Sequence, residues 1–105
     1  MSALIYCPFP SREAARAVAT NLLDAKLVAC VNILGDVEAL FDWDAERGTA
    51  EEVAVLMKTD ASVLAAAVAR LEAEHPYEAP AILGWRCDVP GSATAAWLGA
   101  LGSAK

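Results

Sequence analysis

The sequence predicts an α/β (α+β) protein in which two helices lie against one antiparallel sheet. Three observations predict it. Two segments, beginning near Ser11 and Asp60, carry apolar residues at helical spacing. Short apolar runs rich in Val and Ile adjoin them. Between them lies a long stretch of apolar and polar alternation, which is the period of an extended strand.

Taken in order, residues 2–7 (Ser-Ala-Leu-Ile-Tyr-Cys) form a short buried strand, and Pro8-Phe9-Pro10 breaks it. Ser11 caps the first helix, Glu13 suits its positive end, and Ala15, Val18, Ala19 and Leu22 make its core stripe. That helix is predicted to end near Asp24–Lys26. Val28 to Leu34 is a continuous apolar run, as expected of a strand buried on both faces. Gly35 interrupts it as a bulge or kink. Alternation then resumes, with Val37, Ala39, Phe41 and Trp43 on one face and Asp36, Glu38 and Asp42 on the other; Leu40 is the exception. Asp44 to Thr49 is predicted as a turn with Arg47-Gly48 near its tip, and Glu51 to Thr59 as the return strand. Asp60 or Thr59 caps the second helix, whose stripe is Leu64, Ala67, Val68 and Leu71. Pro76 stops it, because the residue before a proline avoids the helical region. Ala79 to Val89 is predicted as the last strand. Gly91-Ser92 opens a short C-terminal helix carrying Trp97, Leu98 and Leu101. The order β-α-β-β-α-β, with an extended central hairpin, is ferredoxin-like. Right-handed crossovers put both helices on one sheet face. Phe41, Trp43, Trp85 and the terminal helix are left to cover the other, within the subunit or from neighbours.

The 105 residues fit a single domain spanning 1–105. A composition 57% hydrophobic and only 21% charged excludes disorder. A mean hydropathy of +0.39 is high for a soluble monomer and points to apolar surface shared between subunits. The net charge of −6 shows no basic stripe, so no nucleic-acid partner is expected. No apolar run is long enough for a membrane span, and the first seven residues are too short for a signal sequence. Cys7, Cys30 and Cys87 are odd in number and widely spaced, which argues for reduced thiols and a cytoplasmic setting.

Five segments together carry a resemblance: Ala29-Cys30-Val31-Asn32, Phe41-Asp42-Trp43, Lys58-Thr59, His75-Pro76-Tyr77-Glu78-Ala79-Pro80 and Trp97-Leu98. In order and spacing, over nearly the whole chain, they resemble the divalent-cation tolerance (CutA) family. The resemblance implies a ferredoxin-like subunit in a tight homotrimer, similar in architecture to the PII signalling proteins. It implies no agreed enzymatic activity, and copper binding in some bacterial members. Three departures stand out. Ala81 replaces a glutamate after the second proline, Trp43-Asp44-Ala45 replaces a Trp-x-Gly turn, and Thr94 replaces a tyrosine before the final Trp.

The candidate metal set is Cys7, His75 and Glu74. Cys7 and His75 match positions used by the copper-binding relatives, and Glu74 stands where some carry a second histidine. A thiolate with an imidazole suits copper better than magnesium or calcium. The competing reading makes Cys7 a buried hydrophobe and leaves His75 satisfying helix carbonyls. Cys30 and Cys87 read as core residues. Lys58 and Tyr77 are candidates for a ligand cleft, against charge balance for Lys58 and interface packing for Tyr77. The seven carboxylates between Asp36 and Glu52 face only Arg47. They read as a solvated strand face, or as weak ligands for a divalent metal ion. No complete catalytic set is present, so the chain is expected not to be an enzyme. The functional expectation is a trimeric binding or sensing module that binds copper. The alternatives are an interaction scaffold and a PII-like small-ligand sensor in clefts between subunits.

Overall fold

A computed structural model describes residues 1–103. Its elements are β1 (Ser2–Tyr6), α1 (Arg12–Asp24), β2 (Cys30–Trp43), β3 (Glu46–Asp60), α2 (Ala61–Glu74), β4 (Leu83–Arg86) and α3 (Ser92–Ser103). The four strands form one antiparallel sheet in the order β2-β3-β1-β4. This is the ferredoxin-like arrangement predicted from the sequence.

Both main helices start as their caps dictate. Ser11 Oγ accepts from the Ala14 N–H at 3.1 Å, and Asp60 Oδ2 accepts from the Ser62 N–H at 3.0 Å. Helix α1 buries Ala15, Val18, Ala19 and Leu22. Helix α2 buries Val63, Ala67 and Leu71, while Leu64 and Val68 are only partly covered. These stripes pack on Ile5, Cys7, Val53, Val55 and Met57. Asp60 also receives the Met1 ammonium at 2.9 Å, which ties the start of β1 to the start of α2. Gly102 of α3 lies against that corner. A Cβ there would come within 2.8 Å of Asp60 Oδ2.

A bulge sets the phase of the hairpin. Val31 pairs with Met57 and Ile33 with Val55, so these residues look toward the helices. Leu34 is then an extra residue, and Gly35, at φ +129°, pairs with Ala54. Beyond it Val37 pairs with Glu52, Ala39 with Ala50 and Phe41 with Gly48. One inserted residue reverses which parity faces which side. The series Val37, Ala39, Phe41, Trp43 therefore lies on the sheet face away from α1 and α2.

The structure corrects three sequence expectations. The hairpin turn is the two-residue Asp44-Ala45, not the broad Asp44–Thr49 loop, and β3 starts at Glu46 rather than Glu51. Both turn residues have positive φ, 54° and 64°, the conformation that matches the twist of a two-residue hairpin. The last strand is four residues, not the eleven of Ala79–Val89, because its only partner, β1, is itself short. The apolar run near residue 28 pairs only from Cys30 onward. The long hairpin gives the molecule its 43 Å long axis against 26 and 23 Å across.

Candidate functional site

The loop after α2 folds back onto the end of β1 and the hairpin. His75 makes that junction. Its backbone N–H closes α2 on Leu71 O, and the residue is 7% exposed. Nε2–H donates to Pro8 O at 2.8 Å, and Nδ1 accepts from the Tyr77 N–H at 3.0 Å. Those two bonds define a neutral, Nε2-protonated ring. The imidazole is stacked on Phe9 at 4.4 Å, and Tyr77 sits tilted on it at 4.9 Å.

Cys7 reaches the same carbonyl, with Sγ 3.8 Å from Pro8 O. Burial pushes its thiol up to about 12, and the charge of Glu52 adds to the shift. Glu74 turns the other way. Its Oε1 accepts from Asn21 Nδ2 at 2.8 Å and its Oε2 takes Arg70 Nε, which hold its carboxyl below the usual range.

The three metal candidates therefore do not fit copper as a set. Cys7 is held as a protonated thiol, both His75 nitrogens are already committed, and Glu74 is spent on the outer side of the helices. Among the described residues, no group of three or more His, Cys, Asp or Glu side chains could hold a metal ion. Of the cleft candidates, Tyr77 lines a groove and Lys58 does not. Lys58 lies in β3 opposite Leu4 and Cys30, on the other side of the sheet from the helices.

The groove has a volume of about 810 Å³. It is lined by Pro8, by Ala39, Phe41, Trp43, Asp44 and Glu52 of the hairpin, and by residues 77–81 of the loop. Burial pushes the Tyr77 phenol up to about 12, and its hydrogen bond to Glu52 and that carboxylate's charge add to the shift. Tyr77 therefore keeps its phenol proton, directed at Glu52, and presents a fixed ring. Glu52 is the groove residue that the sequence did not single out, since nothing in a run of carboxylates marks the one that meets Tyr77. Ala81, which stands for a glutamate in the family pattern, also lines the groove. A smaller hollow of about 540 Å³ lies on the far side of Glu52, between Arg12 and the carboxylates Asp36, Glu38 and Glu51.

Comparison with known proteins agrees with this architecture. Protein CutA, chloroplastic, of Arabidopsis thaliana is 30% identical over 82 residues, covering 78% of this chain and 45% of that protein. The chain thus spans less than half the length of that relative. Divalent-cation tolerance protein CutA of Archaeoglobus fulgidus is 36% identical over 90 residues, 86% of this chain and 83% of that protein. The solved structure of the periplasmic divalent cation tolerance protein CutA from Archaeoglobus fulgidus superposes with a TM-score of 0.89 at 30% identity. It covers 97% of this chain and 99% of that one. Residues 3–100 match the family model of the CutA1 divalent ion tolerance protein, and with that match over nearly its full length the chain belongs to that family.

Proposed function

We propose that the chain works as a homotrimeric binding or sensing module of the divalent-cation tolerance family and not as an enzyme. The observation that carries the assembly is apolar surface at the far end of the hairpin and along the outer strand. Leu40 is 69% exposed, Trp43 64% and Leu83 63%, and Phe41 and Trp85 lie open beside them. Strands β2 and β4 each leave an unpaired edge. A soluble protein covers such edges or pairs them. Three copies closing through hairpin and outer strand would do both.

A binding role is supported by the chemistry at the groove. The thiol nearest to it is held protonated, and the only imidazole has both nitrogens engaged, so neither is poised as nucleophile or base. The copper implied by the resemblance is left out of this reading, because Cys7, His75 and Glu74 do not fit it. The chain's acidity argues against nucleic acid as partner. No helix among the described residues is long and apolar enough to cross a membrane. The three free cysteines favour a reducing, cytoplasmic setting for this chain, although its relatives include chloroplastic and periplasmic forms.

The test is light scattering of the purified chain at micromolar concentration. The expected mass is three times the 11.0 kDa of the chain. A particle of one chain's mass would overturn the proposal.

A further inference from the structure

We propose that the free edge of β2 in one copy of the chain pairs antiparallel with the free edge of β4 in the next, in the register that sets Glu38 against the next copy's Arg86. The inference rests on the trimeric reading above and deepens it by naming the contact. Direction and face follow from the sheet. In the order β2-β3-β1-β4 every neighbouring pair is antiparallel, so β2 and β4 also run in opposite directions. Repeating that sheet head to tail lays β4 antiparallel to the next β2, with the main helices of both copies on one side. The Cys87 N–H bonds inward to Ser2 O. By the alternation of an antiparallel ladder, the backbone groups of Gly84 and Arg86 therefore point outward, free to pair.

The side chains of the two edges match. Gly84 lies under Leu64 and Val68 of α2, so Gly84 and Arg86 belong to the helix side and Leu83 and Trp85 to the other. Beyond the bulge at Gly35, β2 puts Asp36, Glu38, Leu40 and Asp42 on the helix side and Val37, Ala39, Phe41 and Trp43 on the other. With Arg86 against Glu38, Trp85 meets Ala39, Gly84 meets Leu40 and Leu83 meets Phe41. Large side chains thus face small ones at two rungs, and apolar faces apolar at a third. Leu40, exposed in the single chain and the one apolar residue on the acidic face of its strand, comes to rest on Gly84 beside the partly covered Leu64 and Val68.

The charges choose between this register and its neighbours. Within the subunit Glu38 stands directly opposite Glu51, a like-charge pair that costs stability. Asp36 and Asp42 are answered by Arg12 and Arg47. Glu38, Glu51 and Arg86 are in no ion pair among the described residues. Sliding the strands one way gives Arg86 the carboxylate that Arg12 already holds and leaves Leu40 uncovered. Sliding them the other way sets Arg86 against Leu40.

The experiment follows assembly of the full chain by light scattering over a dilution series, with circular dichroism on the same samples. Wild type is compared with Arg86→Glu, Glu38→Arg and the double variant. Both residues are exposed, so the fold of the subunit is expected to stay unchanged. Each single variant sets like charges together at every junction and is expected to raise the concentration at which the trimer dissociates by at least about tenfold. The double variant restores an opposite pair and is expected to recover most of that loss. In a mixed-label NMR sample, a contact between the Ala39 methyl of one copy and the Trp85 indole of another is expected. A wild-type trimer without that contact overturns the pairing and leaves the assembly standing. So does a trimer that neither single variant weakens, or a double variant no tighter than the weaker single. A wild-type monomer overturns the assembly and the pairing with it.

Discussion

At His75 the ring nitrogens are divided between two backbone partners, Pro8 O and the Tyr77 N–H, so a metal would have to break one bond before it gained another. At Cys7 it would also have to displace a proton from a thiol pushed up to about 12. Copper titration of the wild type beside Cys7→Ser and His75→Ala is therefore expected to give three matching curves. A folded variant that loses copper while the wild type keeps it would restore the site. Asp60 titrates in the opposite sense. The Ser62 side chain, with the Met1 ammonium and the Ser62 N–H behind it, holds its carboxyl down to about 2. A carboxyl below its ordinary value of 3.8 stabilises the fold fully above that value and ceases to do so as pH falls through about 2. Denaturant melts between pH 5 and pH 2 are expected to show the wild type losing stability over that window. Asp60→Ala should be less stable at pH 5 by about 1 kcal/mol, the usual worth of an N-cap, with a shallower acid slope. Parallel acid slopes would remove Asp60 from the account.

The hairpin shows what a local pattern can and cannot report. Alternation from Val37 to Trp43 was legible because the side chains of a strand alternate whatever it pairs with. Gly35 was legible as the place where the pattern breaks, and a bulge is found there. The reversal of face was not legible, because it depends on Leu34 having no opposite residue, which is a property of the pair and not of the strand. The short β4 escaped for the same reason, since residues 79–89 carry no mark of where β1 ends. In the site, Cys7, His75 and Tyr77 were legible as unusual residues in apolar settings. The bond from Tyr77 to Glu52 and the outward turn of Glu74 arise only from packing. The turn makes its own prediction. Ala45 holds φ at 64°, in a region that costs residues with a Cβ about 1 kcal/mol or more and that glycine enters freely. Ala45→Gly restores the glycine of the family's turn and is expected to stabilise the protein by about 0.5–1 kcal/mol in urea melts. A loss of stability would mean that the turn is not strained.

For the whole molecule, surface that is costly in one copy is the material of an assembly. Leu40 and Trp43 together expose large apolar area at the tip of a projecting arm, far from the core under α1 and α2. Replacing both with serine touches no buried contact of the subunit. The double variant is expected to keep its circular dichroism and to show a smaller average mass in light scattering over a dilution series. An unchanged mass at every concentration would place the contact elsewhere. The same arm has a further consequence, for the order of events along the chain. Trp43 and Glu46 meet across two residues, and each later rung of β2 and β3 closes only a slightly longer loop. The rungs between β1 and β3, from Tyr6 with Leu56 to Ser2 with Asp60, join residues about half the chain apart and must close that loop before they gain anything. Loop entropy rises with that length, and folding rate falls with it. The arm can therefore zip from its tip early, while the arrival of β1 is the slow, committing step. Until β1 docks, the hydrogen-bonding edge of β3 that it will pair stands open. The chain thus passes through its stickiest form before it is a folded subunit.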